Sequence, residues 1–152
     1  MVPARAFAVL LAAAAVSACS AQSAPGYAWS YQQDEYEGAK LAYGAPNSDD
    51  VVLMMSCAAH SGQVRLSAVT ERTHPELALA SGRARDRFAG EIVEDELGGL
   101  LLEAQAQSNA RSLQGFAKTG KLTWKAFGET VNLAAAPEER PAVSQFFETC
   151  SA

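Results

Sequence analysis

Short apolar runs, each closed by a turn signal within about ten positions, recur along most of this chain and restrict it to a sheet-rich fold. Val51-Val-Leu-Met-Met-Ser-Cys57 is apolar almost throughout, which predicts a central strand covered on both faces. Val64, Leu66 and Ala68 then alternate with Arg65 and Ser67, and His60-Ser-Gly62 supplies the hairpin between the two runs.

The same pattern continues on either side. Trp29 and Tyr31 alternate with Ser30 and Gln32, and Lys40-Leu-Ala-Tyr43 stops at the turn-like Gly44-Ala-Pro-Asn-Ser-Asp-Asp50. Leu77 to Ser81, Phe88 to Val93 and Leu100 to Ala104 are further strand candidates, the last preceded by a turn at Glu94 to Gly99. Leu122, Trp124 and Ala126 alternate with Thr123 and Lys125, and a turn at Gly128 leads to Thr130 to Leu133.

Two segments carry a helical period instead. Ser108 is placed to cap a short helix in which Leu113 and Phe116 share a face, with Gly120 beyond its end. Near the C-terminus Pro141 suits a first helical turn, and Val143, Phe146, Phe147 and Cys150 fall at i, i+3, i+4 and i+7. That stripe turns Cys150 inward, while Cys57 shares a strand face with Val51, Leu53 and Met55, so the helix is expected to pack across the sheet at that strand. The expected fold is mainly β, of the α+β kind. It is an antiparallel sheet or sandwich of about seven short strands with a short internal helix and a C-terminal helix packed on the sheet.

Ahead of this body the chain has a different character. Arg5 supplies a short positive start, and the apolar run Ala6 to Val16 is shorter than the ~20 residues a bilayer span needs, so Met1 to Ala18 reads as a signal peptide. Val16-Ser17-Ala18-Cys19 resembles the lipobox of bacterial lipoproteins: an aliphatic residue, two small residues, then cysteine. The resemblance implies lipidation of Cys19 with diacylglycerol, cleavage after Ala18, and an anchor of two or three acyl chains, enough for stable membrane attachment. Cleavage after Ala21 is the alternative and releases a soluble periplasmic protein. Residues 19–26, small and polar, read as the lipidated cysteine and a tether, and residues 27–152 as a single globular domain.

Three cysteines in an oxidising compartment leave one over unless it has a separate role. With Cys19 acylated, as the lipobox resemblance implies, Cys57 and Cys150 remain as a disulfide pair; two separate buried thiols are the alternative. A loop of about 90 residues closed in this way stabilises by on the order of 4–5 kcal/mol. A strand ending in cysteine early in the domain, with Phe-Phe-x-x-Cys at its end, resembles small exported proteins of proteobacteria that are uncharacterised, and this brings no activity with it.

Charge narrows the partners. The chain carries 12 basic and 17 acidic residues, and only Arg5 of the basic ones lies in the signal segment. A domain of that balance lacks the positive field that binds phosphate backbones, so nucleic acid is not expected as a partner.

No residue set specifies catalysis. Cys57-Ala-Ala-His60 has the spacing of half a metal site, but His74 is the only other histidine and a structural zinc needs four ligands. Ser61, His60 or His74, and Asp49 or Asp50 contain the residue types of a nucleophilic triad without a Gly-x-Ser-x-Gly elbow. Glu35 and Glu37 near Trp29, Tyr31 and Tyr36 are a candidate carboxylate pair beside a sugar-binding aromatic surface. Asn47-Ser-Asp-Asp50 lacks the glycine and distant glutamate of a calcium loop and reads as a turn. Arg83, Arg85 and Arg87 line one face if extended, a small basic patch able to meet lipid or cell-wall phosphate, or simply a solvated strand edge.

The expectation is therefore an envelope lipoprotein, held to the membrane through its lipid and presenting a non-enzymatic domain to an envelope protein or polymer. It has no catalytic residues, metal or cofactor. Ser20 lacks the aspartate tied in that family to inner-membrane retention, which favours the periplasmic side of the outer membrane. The alternative is a small hydrolase acting on cell-wall or polysaccharide material through Glu35, Glu37, His60 or His74.

Overall fold

The computed structural model describes residues 26–152 apart from positions 72, 73, 96, 97 and 127. The residues read from sequence as a signal peptide, Cys19, and the expected tether through position 25 lie outside the described residues.

The described chain is mainly β. Its strands are β1 (Ala28–Asp34), β2 (Gly38–Gly44), β3 (Val51–Cys57), β4 (Gln63–Val69), β5 (Glu76–Ser81), β6 (Ala84–Glu94), β7 (Leu100–Gln107), β8 (Thr123–Ala126) and β9 (Glu129–Asn132). Helix α1 (Arg111–Thr119) lies between β7 and β8, and α2 (Arg140–Cys150) closes the chain. All nine strands join one antiparallel sheet in the order β1-β2-β3-β4-β7-β6-β5-β8-β9. Nine strands replace the expected seven or so, and a single curled sheet replaces the sandwich option.

One strand explains the curl. The first half of β6, Ala84 to Ala89, pairs with β5, whereas Gly90 to Glu94 pair with β7. The strand thus leaves one half of the sheet and enters the other at Gly90. A Cβ there would stand 2.1 Å from the Glu103 carbonyl oxygen, an approach only glycine allows.

Both helices lie on one face, where every inward position of β2, β3 and β4 is apolar: Ala39, Leu41, Tyr43, Leu53, Met55, Cys57, Val64, Leu66 and Ala68 are buried. Leu113 and Phe116 of α1 and the predicted stripe Val143, Phe146, Phe147 and Cys150 of α2 complete that core. Aromatic rings form a chain through it, with Trp29 4.9 Å from Phe116 and 5.3 Å from Tyr43, and Phe147 within 6.1 Å of Phe116. Tilted and edge-on pairs of this kind add to the stabilisation that burial gives.

Two local expectations are corrected. β3 is covered on one face only: Val52, Met54 and Ser56 on its outer side are half-buried, screened by cross-strand neighbours rather than by a layer. And α2 packs against β1 and β2 rather than across β3. Its last turn reaches β3 through the disulfide between Cys57 and Cys150, whose Cα atoms are 5.7 Å apart across 93 positions of sequence.

The β3–β4 hairpin completes this junction. His60 N–H donates to the Thr149 carbonyl at 2.8 Å and Gly62 N–H to that of Cys150 at 2.9 Å, so two main-chain bonds flank the disulfide. Among the described residues no helix is long and apolar enough to cross a membrane.

Candidate functional site

The candidates from sequence fall at opposite ends of the sheet. Asp49 and Asp50 precede β3, whereas His60 and Ser61 follow it, and seven strand residues at ~3.3 Å each hold the two groups about 20 Å apart. His74 leads into β5, where the neighbouring Pro75 carbonyl accepts the Gly90 N–H, and β5 lies three strands from β4 in the sheet, away from the β3–β4 hairpin that holds His60. The triad residue types are therefore not gathered.

Each of these residues has a local role. His60 adopts a positive φ of 57° in the hairpin, and its Nδ1 lies 3.3 Å from the Ser151 carbonyl oxygen. The Ser61 hydroxyl donates to the Gln63 carbonyl and accepts from the Gln63 N–H, which closes the hairpin. Cys57 is in the disulfide, so its sulfur offers no thiolate to a metal paired with His60.

Asn47 to Asp50 form a self-bonded turn. Ala45 N–H donates to the Asp50 carbonyl, and the Ser48 hydroxyl donates to that of Ala45 while accepting from the Asp50 N–H. The Asp50 carboxylate accepts the Tyr27 hydroxyl at 2.7 Å, and this hydrogen bond pushes the Tyr27 phenol above its ordinary range.

Glu35 and Glu37 are exposed in the β1–β2 turn. Asp34 organises that turn by accepting the N–H groups of Tyr36 at 2.7 Å and Glu37 at 3.1 Å, which hold its carboxyl below the usual range. Glu37 itself pairs with Lys40. Of the aromatics expected beside them, Trp29 is buried and donates its indole N–H to the Leu133 carbonyl at 2.8 Å, and Tyr36 stands 92% exposed. Tyr31 is half-buried, its hydroxyl donating to the Gln33 side chain and lying 3.2 Å from the Thr149 hydroxyl on α2. Glu37 and Ser61 do meet at one hollow of about 420 Å³, which Arg65 also lines.

Of the three arginines, Arg85 and Arg87 project from β6 to solvent and Arg83 sits in the β5–β6 turn after Gly82, which has φ 59°. Arg87 pairs with Glu76 at 3.1 Å. Asp86, between them, faces the other way. It accepts the Ser112 N–H at 2.6 Å, with the Arg111 guanidinium 4.0 Å away. Burial is the largest influence on this carboxyl and opposes its charge, but hydrogen bonding by Ser112 and the charge of Arg111 outweigh it, and Asp86 stays below its ordinary value.

Asp86 is thus the cap of α1, correcting the assignment to Ser108. Ala110 occupies the N-cap position without a side-chain bond, while Ser108 is buried, its N–H donating to the Gly62 carbonyl and its carbonyl accepting the Gln114 side chain.

Two surface hollows were not foreseen from sequence. The larger, about 650 Å³, lies on the outer face of β1 to β3 beneath the Gly44–Asp50 loop. The other, about 490 Å³, lies where β6 and β7 separate past Ala104, and is lined by Phe88 and by the side chains of Gln63, Gln105, Gln107 and Asn109. The alternation of Gln105, Gln107 and Asn109 was a readable signal for one exposed amide row.

Comparison with protein-family models, with curated proteins and with solved structures finds no match to this chain.

Proposed function

We propose that the chain is an exported envelope lipoprotein, anchored by acylated Cys19 on the periplasmic side of the outer membrane. Residues 27–152 form a non-enzymatic domain presented to an envelope protein or polymer. The observation that carries this reading is the Cys57–Cys150 disulfide. Such a clasp persists in an oxidising compartment, and among three cysteines it leaves Cys19, in its lipobox-like setting, as the one sulfur with another task. The binding role is supported by the local structural duties of His60 and Ser61, by the length of β3 that separates them from the Asp49–Asp50 pair, and by the strands β7 and β6 that lie between β4 and the β5 end carrying His74.

Intact-mass measurement of the chain from the membrane fraction, with and without reductant, tests the proposal. The expected spectrum begins at Cys19 with two or three acyl chains and gains the mass of two hydrogens on reduction. An unacylated chain cut after Ala21 assigns it to the soluble periplasm instead. Turnover of cell-wall or polysaccharide substrate by the purified chain replaces the binding role with the hydrolase reading.

A further inference from the structure

The separation of β6 from β7 makes an opening in the sheet. The ladder between them ends at Gly90 and Ala104, after which β6 follows β5 and β7 continues with β4 alone. Phe88, Ala106 and Ala110 floor the opening with apolar surface. Its rim is four side-chain amides, Gln63, Gln105, Gln107 and Asn109, with Gln63 directly opposite Gln107 in the β4–β7 register.

These amides are notable for what they are not doing. All four residues are exposed, and among the described residues none of their side chains bonds to another protein group. Three of the chain's eight glutamines stand here. Each amide offers two donors and an acceptor in one plane. The residues lining the opening carry no charge, although Arg65 stands beside them, opposite Gln105 in the β4–β7 register; a neutral polyol would exchange water hydrogen bonds for amide ones there. An aromatic floor beneath such a rim suits a ligand with one apolar C–H face and a hydroxylated edge.

We propose that this opening is a binding site for a neutral pyranose chain, with a sugar ring laid on Phe88 and its hydroxyls held by the amides of Gln63, Gln105, Gln107 and Asn109. The inference rests on the binding-domain reading and selects, from its two partner classes, the polymer. The larger hollow under the Gly44–Asp50 loop is a weaker candidate: its Lys40 is engaged by Glu37, and Trp29 turns its indole N–H into the core.

The test is an NMR titration of the exported chain with two probes, tetra-N-acetylchitotetraose and maltohexaose. Shifts are expected in the side-chain NH₂ groups of the four amides and in the Phe88 ring. Gln105→Ala and Gln107→Ala should each weaken binding about five-fold, the worth of one hydrogen bond, and Gln145→Ala on α2 should leave it unchanged. Phe88→Leu should weaken it further, and because Phe88 is half-buried the two exposed amide variants serve as the primary readout. A response to the acetylated probe alone assigns the cell-wall glycan backbone as the source, and to the glucan alone a storage or capsular type of polymer.

Absence of binding up to about 10 mM, where affinity falls below ~3 kcal/mol, overturns the inference, as does binding that both amide substitutions leave intact. Preference for an uncharged Ser/Gly/Thr peptide at the same residues also overturns it, leaving the domain a protein-binding one. Cleavage of either saccharide, by contrast, overturns the binding-domain reading itself.

Discussion

Asp86 on β6 caps helix α1 from 26 residues away, its carboxylate 2.6 Å from the Ser112 N–H that no neighbour in the helix could satisfy. The charge also faces the positive end of the helix. Asp86→Ala should lower stability by about 1–2 kcal/mol, as loss of a helix cap does, read as a lower urea midpoint with an unchanged m-value.

The same carboxyl gives a pH dependence. Its folded value lies below the ordinary 3.8, so its contribution is complete above the unfolded value and is lost as pH falls through the folded one. The gap between the natural chain and Asp86→Ala should therefore be full at neutral pH and close below 3.8. A gap that stays constant down to strongly acidic pH would show that the cap does not depend on charge.

The disulfide is the second point of leverage. It closes a 93-residue separation and, with the His60 and Gly62 main-chain bonds, fixes the end of α2 to the β3–β4 hairpin. Reduction, or Cys57→Ala with Cys150→Ala, should cost on the order of 4–5 kcal/mol in the chain-entropy account. Urea unfolding with and without reductant measures this, and hydrogen exchange should show α2 opening first.

Periodicity made much of this fold legible and local pairing hid the rest. The apolar stripe of α2, the β3 run ending in Cys57 and the alternation in β4 all appear at their expected positions, because burial on one face imposes a period that residues record directly. The strand expected from Phe88 begins earlier, at Ala84, in a stretch legible only as a solvated edge because Arg85, Asp86 and Arg87 are polar on both faces, and only the tertiary partner of Asp86 explains the inward one. Capping by Asp86 rather than Ser108 was invisible for the same reason: a cap from another strand leaves no mark at the helix start. At the candidate site the amide row alternated visibly, but its floor depends on where β6 leaves β7, which no local pattern specifies.

Gly90 is where that departure is decided. Adding a Cβ would bring it within 2.1 Å of a backbone oxygen on Glu103, a contact that no side-chain rotation relieves. Gly90→Ala should destabilise by on the order of 2–3 kcal/mol, within the range that overpacking produces. It should also alter the β6–β7 opening, so the NMR shifts of Gln105 and Gln107 should move even without ligand. A fully stable variant with unmoved shifts would show that the bend has another origin.

Trp29 offers a probe of how the ends of the sheet are held together. It lies on β1, one edge, and donates its indole N–H at 2.8 Å to Leu133, just past β9 at the other edge. The bond is buried, so removing the donor strands an acceptor as well as losing a contact. Trp29→Phe keeps the ring within the aromatic chain of Tyr43 and Phe116 but deletes the N–H. The expected cost is about 1–3 kcal/mol, that of a buried acceptor left unpaired. The amide exchange of β9 should rise more than that of β3, because only the former depends on this bond for its connection to β1. Equal changes in both strands would mean that the substitution acts through core packing alone.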